Sequence, residues 1–288
     1  MFFITSFRIV YRACVKWSEN GGARLGAALA YYTIFSVPPL MLIAIHTSGA
    51  IFGEDAAEQR VHKSVEQITG PTVAKFVEKL VETAAQPTET AWTPTLSIAI
   101  LVVTALGAFL HMRNSLCMIW KLEPPHDNSW LGMLWDYTLA VIMVFVFAIL
   151  IMCTLAASLA VPVLLRFMQE AEVPEEVGLQ WIEMGMSFVF LTVLFATVYR
   201  ILSGGRVGWG YVIYGSLIAA VLFTLGKLVL SYYIVYSGTE SMYGAAGSIV
   251  VFMMWVYYSS QILFFGAELI QARRTRHEWM NIDKKPQA

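Results

Sequence analysis

The residue best placed to do chemistry in this chain is a lysine in the middle of an apolar run. Lys227 lies in LFTLGKLVLSYY, ten residues before the run ends. If the run is a membrane-crossing helix, that is about 15 Å deep. An ammonium group at such depth costs ~2.5–3.5 kcal/mol on insertion scales, so it asks for a compensating contact. Two outcomes are open. The side chain can snorkel outward, helped by Tyr232 or Tyr233, or it can face an internal cavity and hold an anion or a carboxylate.

The last apolar run carries Tyr258, Gln261 and Glu268 at spacings of three and seven, which is one helix face. Glu268 falls near the end of that run, at the depth expected for Arg113, Asp136 and Arg200. Two acids and two arginines at one level would form an inner ionic layer, whose members can simply satisfy one another. Just before the run, MYGAAGS (Met242 to Ser248) places Tyr243, Gly244, Gly247 and Ser248 at a helix start. Backbone amides there could seat an anion, and a tight turn explains the same glycines.

A further polar group sits in RLGAALAYYTIFSVPPLMLIAI, Arg24 to Ile45. Gly22, Gly26 and Ala30 recur every four residues and leave a smooth face for another helix. Tyr31, Tyr32, Thr33 and Ser36 bring hydroxyls into what should be hydrocarbon. Pro38 and Pro39 then remove two backbone donors. In lipid such a break survives only where protein or a wet cavity covers it. It serves either packing alone or a substrate path.

Enzyme chemistry finds little support. The five histidines share no ligand spacing, and Cys14, Cys117 and Cys153 form neither a disulfide framework nor a zinc site. There is no nucleophile motif, Walker loop or grouped cytosolic carboxylates. We expect no catalytic residues, no metal and no cofactor.

The elements that must position these groups are membrane helices. Of the 288 residues 58% are hydrophobic and 14% charged, against roughly 25% charged in a soluble domain. Six apolar stretches cover about Gly26–Phe52, Thr95–Met112, Asp136–Leu165, Ile182–Leu202, Gly210–Tyr236 and Ala245–Gln271. Each is long enough to cross a ~30 Å core. The expected class is an all-α integral membrane protein with six transmembrane helices. An even count puts both termini on one side. Thirteen of the nineteen Lys and Arg residues then fall on the side of the termini; Arg60, Lys63, Lys75, Lys79 and Arg166 fall opposite. That bias places both ends in the cytosol.

Three regions follow: residues 1–24, residues 25–272 and residues 273–288. The first reads as a cytosolic interfacial helix, with Arg8, Arg12 and Lys16 on one face and Phe3, Phe7, Val10, Cys14 and Trp17 on the other. Packing against the cytosolic ends of the bundle explains it equally well. Its start lacks a cleavage site, so it reads as retained rather than as a signal peptide. The second is the six-span domain. Its outer loop, residues 53–94, repeats Val73, Phe76, Val77, Leu80, Val81 and Ala84 at helical spacing, with a break at Gly70-Pro71. The third is a basic cytosolic tail. No inverted repeat relates spans one to three to spans four to six, as some transporters have.

Four blocks carry a family likeness: RLGAALAYYTIFSVPPL, NSLCMIWK (Asn114 to Lys121), GSLIAAVLFTLGKLVLSYYIVY (Gly215 to Tyr236) and YGAAGSIVVFMMWVYYSSQILFFGAEL (Tyr243 to Leu269). Together they resemble the YihY/BrkB family of bacterial inner-membrane proteins, from about Phe7 to Arg273. The first and last blocks are the specific ones. Few spans pair Tyr-Tyr with Pro-Pro, or follow YGAxGS with a distal GAE. The resemblance implies a polytopic helical protein of the inner membrane. Some members have been labelled ribonuclease BN and others serum-resistance factors, and transport of lipid or envelope molecules is a proposal for the family. The nuclease label does not fit these residues. Two-metal phosphodiester hydrolysis needs carboxylates grouped to hold ions ~3.5–4 Å apart, and the cytosolic acids are scattered.

Three classes of function therefore stand: a transporter or flippase for a lipid or anionic amphiphile, a non-transporting scaffold for envelope assembly, and, least supported, an enzyme. The expected partners are membrane lipids and an anionic amphiphile, without nucleic acid. Assembly into a homo-oligomer stays open.

Overall fold

An apolar run in lipid must close its own backbone hydrogen bonds, and an uninterrupted helix does so. The computed structural model describes residues 2–36, 71–85, 93–122, 175–237 and 247–276, with residues 66, 138, 142, 146 and 149. Every regular element among them is helical. In chain order they are α1 (Phe2–Glu19), α2 (residues 22–36), α3 (Pro71–Ala85), α4 (Thr93–Trp120), α5 (Glu175–Leu202), α6 (Trp209–Ser237) and α7 (Gly247–Arg274). The last three have no proline inside. Among the described residues, Met184–Leu202, Trp209–Leu230 and Ile249–Arg274 are long and apolar enough to cross a membrane. Helix α4 runs on to Trp120, past the expected end at Met112. Most of the third apolar stretch, the start of the outer loop and the end of the tail lie outside the described residues.

Helix α7 is the centre. It packs on α1, α3, α4 and α6, while α5 packs on α6 and α4. A helix that is apolar all round belongs inside, and from Ile262 to Ile270 most of α7 is buried. Small residues bring α6 and α7 together. A Cβ on Gly215 would meet Ile270, and one on Gly266 would lie 3.2 Å from the Ala219 Cβ. Close approach gains dispersion contacts that lipid tails cannot match. Around this seam runs an aromatic column. Phe195 stacks on Tyr199, Tyr199 meets Trp120 edge-on, and Phe223 bridges Phe195 and Trp255.

The contacts also sort the helix ends. Gly215 of α6 faces Ile270 of α7, while Gly226 faces Tyr258, so the two run antiparallel. Trp120 near the end of α4 and Tyr199 near the end of α5 reach Ala267 and Leu263. The start of α2 meets Gln261. The ends of α4, α5 and α7 and the starts of α2 and α6 therefore share one end of the bundle. Near the other end, α3 lies across α7. Proline at its first position suits a helix start. Val73, Phe76 and Val77 are buried against Val251, Phe252 and Val256 of α7 and Ala30 of α2.

Helix α1 uses a narrower seat than its sequence pattern implies. Ile9 and Ala13 are the buried residues, set against Leu269 and Ala272 with Tyr214, Ile218 and Phe265 beside them. Phe7, Val10 and Cys14, on the expected apolar face, stay exposed. Gly21, at φ 68°, closes α1 and opens α2, its carbonyl accepting from the amides of Arg24 and Leu25. A left-handed residue with a Cβ costs ~1–2 kcal/mol. Gly21→Ala should therefore lower stability by about that amount in a detergent unfolding titration, and an unchanged midpoint would contradict the turn.

Candidate functional site

The polar residues of α6 and α7 fall into two groups, one engaged in joining helices and one not accounted for by that task. On α6 the buried stripe is Val212, Ser216, Ala219, Ala220 and Phe223, at helical spacing. Lys227 continues it, four residues past Phe223, and is partly buried. The lipid-type face is elsewhere: Leu228 and Val229 are 64% and 70% exposed, and Leu225 and Tyr232 lie with them. Lys227 thus belongs to the inward side of its helix.

Beside it, Tyr258 reaches across from α7. Its hydroxyl donates to the Leu222 carbonyl at 2.9 Å, and its ring lies where a Cβ on Gly226 would be. Gln261, one turn on, points at α2. Its Nε2 lies 3.5 Å from the Ala23 carbonyl, against Gly26, while its buried Oε1 has no hydrogen-bond partner among the described residues. The smooth face of α2 is therefore occupied, with Trp17 over Gly22, Gln261 over Gly26 and Ala30 buried.

The hydroxyls of α2 mostly turn back on their own helix. Thr33 donates to the Leu29 carbonyl at 2.7 Å and Ser36 to that of Thr33 at 3.2 Å, the local bonding such residues adopt in helices. Tyr31 is 59% exposed and touches Tyr32 and Phe35 edge-on. Tyr32 faces inward, its ring 5.6 Å from that of His111 and in contact range of Gly107.

His111 is a polar residue that motif reading missed. Its Nε2 lies 3.1 Å from the Leu25 carbonyl. With Gln261 near Ala23, two polar side chains from α4 and α7 converge on the first turns of α2. The available signal was Gly107 four residues before His111, a glycine and a polar ring on one helix face. Testing histidines for metal spacing alone cannot find it. Tyr199 and Trp120 act similarly, donating to the carbonyls of Leu263 and Ala267 at 2.8 and 3.0 Å.

Of the four residues expected in an inner ionic layer, Glu268, Arg200 and Arg113 are among the described residues. Glu268 is 2% exposed and accepts from Asn20 Nδ2 at 2.6 Å. Lys16 and Glu19 are the charged side chains beside it, and they pair with each other. Arg200 instead donates to the carbonyls of Gly205 and Val207 and stacks 5.0 Å over Trp209. Both bonds come from Nη1, so the guanidinium closes its own turn. Arg113 is buried near Cys117 and Arg206.

Gly247 is buried at the start of α7 and Ser248 follows it in the helix. Pro38, Pro39, Asp136, Tyr243 and Gly244 lie outside the described residues. Among the described residues no three His, Cys, Asp or Glu side chains are grouped to hold a metal ion.

Comparison with known proteins finds membrane proteins. The chain is 23% identical over 264 residues to a UPF0761 membrane protein of Alcanivorax borkumensis, covering 89% of this chain and 58% of that one. It is 21% identical over 259 residues to a UPF0761 membrane protein of Haemophilus influenzae, covering 88% and 90%. It therefore spans a little over half of the first relative and most of the second. These names describe membrane proteins and state no reaction. No solved structure matches the chain. The profile of the family Virulence factor BrkB matches residues 13–288, and on that match the chain belongs to the BrkB family of membrane proteins.

Proposed function

We propose that the chain is a six-span protein of the bacterial inner membrane, with both termini in the cytosol, that moves a lipid or anionic envelope-related amphiphile across the bilayer. One observation carries this reading: Lys227 continues the inward stripe of α6 rather than its lipid-type face. A charge placed inside a bundle at membrane depth marks a substrate or ion path more often than an anchor. The residues offered to the path are Tyr32 beside His111, Lys227 beside Tyr258, and the glycine-rich entry to α7.

The test is complementation of a deletion strain under envelope stress, with membrane abundance measured in parallel. Lys227→Met should lose complementation at normal abundance. Lys227→Arg should be intermediate, because it keeps the charge and changes its shape. Full complementation by Lys227→Met at normal abundance would overturn transport through this group.

A second reading, a non-transporting scaffold, is favoured by the engagement of Tyr258, Gln261 and Glu268 in joining helices. It becomes the first choice if Lys227→Met is neutral.

A further inference from the structure

Helix α1 crosses α7 rather than running along it. Ile9 and Ala13 meet Leu269 and Ala272, yet Asn20 meets Glu268. Moving from residue 9 to residue 20 advances ~16 Å along α1 but only about 1.5–6 Å along α7. If α7 crosses the bilayer, α1 lies near its plane, at the end of the bundle where α6 begins.

Rotation about α1 sorts its side chains into three directions, at about 100° per residue. Ile9, Ala13 and Asn20 share the direction of the protein seat. Trp17, Val10, Cys14 and Phe7 occupy an arc about a quarter-turn to one side. Arg8, Arg12 and Lys16 occupy the arc about a quarter-turn to the other. The apolar and basic arcs are therefore opposed, and the seat lies between them. Phe7 is 73% exposed, Val10 and Cys14 are exposed, and nothing described covers them. An in-plane helix held from the side has one arc toward hydrocarbon and the opposite arc toward water and headgroups. The sequence supplies the matching chemistry to each.

We propose that α1 is a docking surface for acidic phospholipid, its Phe7–Val10–Cys14 arc entering the interface and its Arg8–Arg12–Lys16 arc meeting the headgroups. The exposed face of α6 beginning at Trp209 and Ile213 sits at the same end of the bundle. With Lys16 paired to Glu19 on the same arc, Arg8 and Arg12 leave it net positive, which matches an anionic surface. The inference holds whether or not the chain transports.

The experiment uses the full-length protein in nanodiscs of phosphatidylcholine alone or with phosphatidylglycerol. Cys14 lies within the apolar arc and is exposed, so with Cys117→Ser and Cys153→Ser it takes an environment-sensitive fluorophore with α1 otherwise unaltered. A second sample carries the label on Lys16→Cys in a Cys14→Ser background. Shallow lipid-borne quencher should quench the Cys14 label at least threefold more than the second label, and aqueous iodide should do the reverse. Phosphatidylglycerol should strengthen lipid quenching at Cys14. Arg8→Gln with Arg12→Gln should return it to the level in phosphatidylcholine. Equal iodide access at both positions overturns the proposal. So does quenching that ignores lipid charge, or energy transfer between α1 helices of separate copies that persists on dilution into lipid. These readouts do not involve Lys227, so their failure is separable from a failure of transport.

Discussion

Gly266→Ala should destabilise the bundle by about 2–6 kcal/mol, and Tyr199→Phe should restore much of the loss. A Cβ on Gly266 would stand 2.2 Å from the Tyr199 hydroxyl oxygen and 3.2 Å from its Cζ. Tyr199 is fully buried and donates to the Leu263 carbonyl. The added methyl would displace the hydroxyl and leave a buried donor unsatisfied, which costs about 1–3 kcal/mol beyond the overpacking of similar size. Removing the hydroxyl removes the unsatisfied donor and the worst of the clash, leaving tight 3.2 Å contacts with Cζ and the Ala219 Cβ. Tyr199→Phe alone should cost only about 1 kcal/mol, the net worth of one hydrogen bond. Gly226→Ala behaves differently under the same logic. There a Cβ would lie 1.3 Å from the Tyr258 hydroxyl oxygen and 1.8 Å from Cζ. Tyr258→Phe therefore leaves the clash in place, and only a small residue such as Tyr258→Ala should relieve it. Unfolding in mixed micelles, read as two double-mutant cycles, measures both. Additive losses in the Gly266–Tyr199 pair would show that the Tyr199 hydroxyl is not what opposes the methyl.

That contrast marks where sequence reading reached and where it stopped. The last three apolar runs could be read directly because backbone satisfaction in lipid leaves few alternatives; α6 and α7 match them within three residues, and α5 begins seven residues earlier than expected. Helix α3 was legible from its spacing and from Pro71. Lys227 was legible as an oddity, though its side of α6 depends on which neighbours are buried. What the sequence concealed was the use of side chains between helices. Tyr258 and Gln261 share a face, which in one dimension resembles a path lining. In three dimensions each extends to a backbone carbonyl of a neighbouring helix, beside a glycine that makes room. The glycines were visible, but their pairing with distant polar residues is a tertiary fact. Glu268 illustrates the same limit. Depth alone paired it with arginines, whereas the α1–α2 turn reaches it first.

Asn20→Leu should therefore cost about 1–3 kcal/mol, the penalty of leaving a buried acceptor without its donor, and Glu268→Leu should relieve most of that loss when added to it. The carboxylate is buried and Asn20 is its hydrogen-bond donor. Removing the donor alone leaves a polar group with neither water nor a partner. Replacing both partners with apolar residues removes the demand together with its supply, which is often nearly neutral. Arg200→Gln, by contrast, should add to Glu268→Leu without coupling, since Arg200 is held by Gly205, Val207 and Trp209. Both cycles can be read in the same mixed-micelle unfolding experiment. A coupling larger for Arg200 with Glu268 than for Asn20 with Glu268 would restore the ionic layer.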